Sequence, residues 1–189
     1  MLTFDNDIKE CITVLNNGGI ILYPTDTIWG IGCDATNAKA VKRIFQLKKR
    51  EEKKSMIILV SNEKMIHEYV ATPSSLVMAF LVNQVRPTTA IFEKAIHLPP
   101  ELVNENESIA IRIVKDDFCK QLINQVRRPI VSTSANISGE DYPKNFIEIS
   151  VAIKNGVDYI VQHRQDDLKV SLPSSIIKLN SSNEIEILR

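Results

Sequence analysis

Apolar and polar positions along this chain follow two periods, and the change from one to the other divides it into helices and strands. Residues 6–17 carry apolar side chains at Ile8, Cys11, Ile12 and Leu15, a helical stripe that ends at Gly18-Gly19. The run Gly19-Ile20-Ile21-Leu22-Tyr23 predicts a strand over 19–24, because consecutive large apolar side chains suit burial on both faces. Asn37 has the chemistry of an N-cap for a helix whose apolar face is Ala38, Val41, Ile44 and Phe45. Met56-Ile57-Ile58-Leu59-Val60 predicts a second buried strand, followed by helices over 62–68 and 74–85, the latter between Pro73 and Pro87. Further strands are expected at 109–113, 129–134, 157–162, 175–179 and 184–188, with a helix near 144–155. Segment 163–173 reads as a long mobile loop. The rough alternation of helix and strand, without internal repeat or linker, predicts one α/β domain over 1–189 with a mixed sheet.

The first strand stops at Pro24, which cannot donate to a sheet ladder, and runs into Thr25-Asp26-Thr27-Ile28-Trp29-Gly30-Ile31-Gly32. Hydroxyls and a carboxylate therefore follow the strand's carboxyl end, the edge at which open α/β sheets bind ligands. Gly30 and Gly32 allow the backbone to bend or to approach another group closely. An ordinary turn is the competing reading of such a string.

Composition narrows the class. In 189 residues, Lys plus Arg and Asp plus Glu are both 23, so the net charge is zero and no global attraction to nucleic acid or membranes is implied. Cys11, Cys33 and Cys119 form no CxxC pair and, with His67, His97 and His163 scattered, give no zinc signature. The first residues lack a basic start and a long apolar run, and no stretch approaches membrane-spanning length. A soluble, reduced, cytoplasmic protein is expected. A P-loop string is absent, Gly30-Ile31-Gly32 lacks the third glycine of the dinucleotide fingerprint, and no histidine stands near a serine or cysteine motif.

The remaining chemistry is cationic and hydroxylic. Lys48-Lys49-Arg50-Glu51-Glu52-Lys53-Lys54 closes the helix begun at Asn37, where cations suit either a solvated helix end or a polyphosphate. Ser132, Ser134 and Asn136, in an extended segment, point to one side as a comb of polar groups; a strand end with a following turn is the alternative. Arg112 stands inside a strand of Ile and Ala, where it must face solvent or meet an anion, since burying it unpaired is costly. Pro87-Thr88-Thr89 adds more hydroxyls, with a turn as the alternative, Ser174-Ser175 reads as the start of a late strand, and Arg189 as a terminal residue. Hydroxyls and cations without a clear general base suit binding a polyanion and stabilising charge at phosphorus.

Taken in order, Tyr-Pro-Thr-Asp-Thr-x-Trp-Gly-x-Gly, Leu-Lys-Lys-Arg, Ile-Ala-Ile-Arg-Ile and Ser-Thr-Ser-Ala-Asn resemble the YrdC/TsaC family of threonylcarbamoyl-AMP synthases, from about residue 10 to the end. The resemblance implies a YrdC-like twisted mixed α/β sheet flanked by helices, with a deep, positively charged cavity. It also implies a reaction in which L-threonine, bicarbonate (or CO2) and ATP give threonylcarbamoyl-AMP and pyrophosphate, with Mg²⁺ accompanying ATP and no protein-built metal site. A tRNA-modifying transferase complex would then use the product, and contact with tRNA or double-stranded RNA is conceivable.

Carried over residue by residue, the resemblance puts Thr27, Arg112, Ser132 and Ser175 at threonine, and Arg50, Lys54, Ser108, Ser134, Tyr142 and Arg189 around ATP. Lys48 and Arg50, with Ser134 and Asn136, match the Lys-x-Arg and Ser-x-Asn pairs that would act in catalysis. The chain departs from the family pattern at Glu51 and Ser55, where proline is usual, at Gln84–Thr89, and at Leu59, where a histidine often meets threonine. Ser171 and Lys178 also replace a common Gly and Asp. The rival expectation is an RNA-binding accessory factor in tRNA or ribosome maturation without adenylylation activity. A second is carbamoyl transfer of the hydrogenase-maturation type.

Overall fold

The computed structural model describes residues 4–51 and 56–189. Each predicted element has a counterpart except where a short strand or a turn intervenes. Helix α1 (Asp5–Asn16) buries Ile8, Cys11 and Leu15 and packs on strand β1 (Ile21–Tyr23) and helix α5 (Asp117–Val126). At the edge of that packing Phe4 meets Phe118 edge-on at 5.6 Å between ring centroids. Helix α2 (Ala38–Lys48) begins where Asn37 accepts from Lys39 N and Ala40 N, as its sequence requires. Strand β3 (Ile57–Val60) is followed by helices α3 (Glu63–Tyr69) and α4 (Ser75–Asn83).

The remaining strands are β2 (Gly30–Gly32), β4 (Thr88–Phe92), β5 (Ile109–Ile113), β6 (Ile130–Ser134), β7 (Tyr159–Ile160), β8 (Ser175–Leu179) and β9 (Ile185–Ile187). They join β1 and β3 in one nine-stranded mixed sheet, in the order β7-β1-β2-β6-β3-β5-β4-β8-β9 among the described residues. Three pairings are parallel (β1 with β7, β3 with β5, β4 with β8) and the others antiparallel. The mixed α/β sheet expected from the sequence is thus the observed architecture.

Four differences from the sequence expectations have local causes. The stretch after Pro24 is the connection of a hairpin, because Gly30–Gly32 returns antiparallel to β1, with Tyr23 opposite Gly30. A side chain at Gly32 would meet Val131 O at 2.4 Å and the Tyr23 ring at 2.7 Å, so this strand closes only with glycine there. Thr88 and Thr89 open strand β4 rather than a turn, with Thr89 opposite both Arg112 and Ile176. Helix α5, unpredicted, starts at Asp116, whose carboxylate accepts from Cys119 N, and buries Phe118, Cys119, Leu122, Ile123 and Val126. The helix expected over 144–155 is confined to α6 (Val151–Asn155). Before it, Asn145 Oδ1 accepts from Ile147 N and Glu148 N, and Glu148 accepts from Lys144 N, which bends the chain into turns. Segment 163–173 contains no helix or strand, as expected.

Candidate active site

Strands β2, β6, β3, β5 and β8 leave a cavity of about 280 Å³ over one face of the sheet. Its wall is built from Thr27–Gly30, Arg50, Met56–Ile57, Arg112, Ser132–Ser134, Tyr142, Pro173–Ser174, Ile176 and Arg189, with three arginines and no acidic side chain among the described residues that line it. The alternation along β6 sends Ser132 and Ser134 to the same side, where Ser132 Oγ would lie 3.1 Å from a side chain at Gly30. The absence of a Cβ at Gly30 therefore keeps that part of the cavity open.

Arg112 is only 3% exposed, and its anion is the protein's own. Its Nη2 lies 3.1 Å from Asp26 Oδ1, and its Nη1 donates to Thr27 Oγ1 at 3.1 Å. Its Nε is buried without a hydrogen-bond partner among the described residues. Asp26 Oδ2 accepts from Lys115 N, and Thr25 Oγ1 binds Thr27 N, Thr27 Oγ1 and Ile28 O. The β1–β2 connection is therefore cross-braced from within, and both Asp26 and Thr27 are presented to the arginine at the end of β5.

Lys48 is 1% exposed, at the C-terminal end of α2. Its ammonium donates to the carbonyls of Ser134 (2.5 Å) and Asn136 (2.6 Å), while Ser138 N donates to its own carbonyl. Burial lowers its pKa to about 8, the charge of Arg50 adds to the effect, and Glu140 opposes it. Burial likewise lowers the Arg50 guanidinium from its ordinary value. Asn136 is not among the lining residues; its amide donates to Ile137 O and Glu140 O, and its Oδ1 is buried without a partner among the described residues. Lys48 and Asn136 thus shape the loop after β6, whereas Ser134 faces the cavity.

Of the residues singled out in the sequence, Thr27, Arg50, Arg112, Ser132, Ser134, Tyr142 and Arg189 share this one cavity. Lys54 lies outside the described residues. Ser108 stands apart: four residues before Arg112 along β5, about 13 Å at the usual strand rise, it is buried against Asn104 and Asn106 beside a second cavity of about 450 Å³. Where β8 begins, it is Ser174, just before the strand, and not Ser175, its first residue, that reaches the main cavity. Ser174 is 5% exposed and its hydroxyl lies 2.8 Å from that of Thr89. Arg189 donates to the Ser174 carbonyl through Nε and Nη2, which fixes the last side chain against the cavity. Asp26 and Ser174 were noted in the sequence but given no role in the site. The signal for Ser174 was the period-two alternation with Ile176, and for Asp26 the need of a buried arginine for a counter-ion. Leu59, opposite Arg112 on β3, is fully buried and not among the lining residues.

Among the described residues no three His, Cys, Asp or Glu side chains converge as a metal site, and no helix is long and apolar enough to cross a membrane. The Sua5_yciO_yrdC family model, described as "Telomere recombination", matches residues 13–189. A threonylcarbamoyl-AMP synthase of Pseudoalteromonas translucida is 30% identical over 82% of this chain and 84% of its own. One from Hydrogenovibrio crunogenus is 32% identical over 71% of this chain and 74% of its own. The structure of P. abyssi Sua5 complexed with L-threonine superposes with a TM-score of 0.85 at 22% identity, over 96% of this chain and 53% of that longer one. With the sheet, the cavity and the family match in agreement, the chain belongs to the Sua5/YciO/YrdC family.

Proposed function

We propose that this protein is an L-threonylcarbamoyl-AMP synthase that uses L-threonine, bicarbonate or CO2, and ATP. One observation carries the reading: a single cavity holds Arg50, Arg112 and Arg189 beside the hydroxyls of Thr27, Ser132, Ser134 and Ser174. A zwitterionic hydroxy amino acid and a polyphosphate both need such a set. Arg112, which lines the cavity, offers its guanidinium to the threonine carboxylate, while Asp26 holds the same side chain in place. Thr27, Ser132 and Ser174 supply hydroxyls to threonine's ammonium or side chain. The support for this division is the placement of the four residues on neighbouring walls.

Threonine's amine adds to CO2, losing a proton, and the resulting carbamate oxygen attacks the α-phosphorus of ATP. The bond to the β-phosphate oxygen breaks, and pyrophosphate leaves. Arg50 and Arg189 face the cavity and would offset the charge gathering on phosphate oxygens, with Lys54 assigned the same role from its sequence position. Ser134 and Tyr142 would orient the nucleotide. Lys48 and Asn136 would act through the loop after β6, keeping Ser134 at the α-phosphate. Mg²⁺ would arrive with ATP, bound by phosphate oxygens and water. The adenylate would then pass to a transferase complex that modifies tRNA.

Mass spectrometry of the products formed from ATP, bicarbonate and L-threonine tests the proposal. The expected species is threonylcarbamoyl-AMP, and Arg50→Ala should lower its rate of formation by about 10²–10³, the scale of one lost oxyanion donor. Formation at full rate by that variant would refute the role of Arg50.

A further inference from the structure

We propose that Arg164 is a positioning residue that sets the affinity for threonine without touching it. Arg164 belongs to segment 163–173, which runs on to Pro173 and Ser174 at the cavity wall, and its backbone is left-handed at φ 65°. Such a conformation in a non-glycine residue persists where surrounding contacts determine it. Its Nη1 donates to Asp116 Oδ2 at 2.8 Å, and its Nη2 donates to the Thr25 carbonyl at 2.6 Å. The two oxygens belong to two separate pieces of the site wall. Asp116 is the N-cap of α5, with its other oxygen accepting from Cys119 N. Thr25 begins the stretch that presents Asp26 and Thr27 to Arg112.

The contact falls where it can govern the site. The Thr25 carbonyl is half of the peptide leading into Asp26, so a rotation of that peptide would turn the Asp26 carboxylate. Asp26 is held at its two oxygens by Arg112, on β5, and by Lys115 N, in the β5–α5 connection that also carries Asp116. Arg164 therefore closes a ring: β1–β2 connection, β5, the α5 cap, and back to Thr25. Beside this ring, a smaller cavity of about 160 Å³ separates the β1–β2 connection from Arg164, Asp167, Lys169 and Ser171. Within it the forked guanidinium is the direct bridge from segment 163–173 to the Thr25 backbone. A lysine would keep the charge but lacks the planar fork that meets two acceptors at once. Arg50, Tyr142 and Arg189, assigned above to ATP, have no part in the ring.

This inference rests on the assignment of Arg112 and Thr27 to threonine. Its test is calorimetric binding of L-threonine and, separately, of ATP to the full chain, to Arg164→Ala and to Arg164→Lys, with thermal melting of each. We expect threonine affinity to fall at least about tenfold in Arg164→Ala, the scale of a lost charge-assisted hydrogen bond. ATP affinity should stay unchanged, and Arg164→Lys should recover threonine binding only in part. Where Arg164→Ala melts too early to be measured, the Arg164→Lys comparison decides alone. Unchanged threonine affinity would overturn the inference. So would a parallel loss of threonine and ATP affinity, the mark of a purely structural role. A wild-type protein that binds ATP but no threonine would instead bring down the functional reading beneath it.

Discussion

The Arg112 guanidinium and the Asp26 carboxylate form a buried ion pair, Nη2 to Oδ1 at 3.1 Å, with side chains 3% and 8% exposed. A charge taken that far from water is tolerated because its partner is fixed, and removing one member leaves the other uncompensated. Asp26→Asn should therefore cost about 3–5 kcal/mol of folding stability, measured by urea unfolding. Asp26→Asn combined with Arg112→Met should recover part of that loss, because no buried charge then remains. An Asp26→Asn protein as stable as the wild type would show that the pair is solvated.

The sheet sets a second requirement at Gly32. A Cβ there would meet the Val131 carbonyl at 2.4 Å and the Tyr23 ring at 2.7 Å, both part of the packed interior. Gly32→Ala should cost about 1–3 kcal/mol, the range for overpacking a core. At Gly30 the nearest neighbour of a Cβ is the Ser132 hydroxyl, at 3.1 Å, with the Thr133 carbonyl and the Thr25 methyl at ordinary contact distance. Gly30→Ala should lower stability less and catalysis more, a split visible by comparing melting temperatures with turnover.

Two adjacent serines where β8 begins give a clean contrast. Ser174 faces the cavity beside Thr89, whereas Ser175 does not line it. Ser174→Ala should raise the KM for threonine, and Ser175→Ala should leave it near the wild-type value. The reverse order would restore the assignment made from sequence alone.

Alkaline pH acts on buried groups in opposite directions. Burial raises the thiols of Cys11, Cys33 and Cys119 and the phenols of Tyr23 and Tyr159 above their ordinary values. Their folded pKa values exceed the unfolded ones. The stability they contribute is thus complete below about pH 8.5 for the thiols and about pH 10 for the phenols. It is lost as pH climbs toward the folded values. Lys48, lowered to about 8, does the opposite: between about pH 8 and the ordinary lysine value of about 10.4, the unfolded chain binds more protons. Its contribution therefore rises with pH over that window. The three thiols and the raised phenols, Tyr69 among them, outweigh one lysine, so the urea midpoint should fall steadily above about pH 9. By carbon-detected NMR, the Lys48 side chain should titrate near pH 8. A Lys48 midpoint near the ordinary lysine value would mean that its ammonium is hydrated rather than buried.

Much of this arrangement was legible in the sequence, for reasons that differ by element. Long, strongly periodic elements such as α1 and α2 announce themselves because their stripes repeat over several turns and their ends carry Gly18 and Asn37. Strand β2 did not, since three residues with glycine at both ends have no propensity of their own and form only because β1 and β6 pair with them. Strand β4 hid behind Pro87 and two threonines that serve turns equally well, and its identity comes from pairing with β5 and β8. In the site, the residue types were readable while their pointing was not. Lys48 and Asn136 sit in cationic and polar motifs but spend their side chains on backbone carbonyls. Ser174 lies just before β8 and Ser175 is its first residue, opposite Thr88, and that pairing with β4 decides which of the two meets the cavity. The Asp26–Arg112 pair joins segments distant in sequence, so only the fold could reveal that the arginine's anion is internal.

The most direct measurement of the central claim is pyrophosphate release from ATP and bicarbonate, with and without L-threonine, and with serine and glycine as controls. Release that requires threonine, and is weak or absent with serine and glycine, is the predicted result. Folded protein that binds ATP yet releases no pyrophosphate with any of the three amino acids would contradict the synthase assignment.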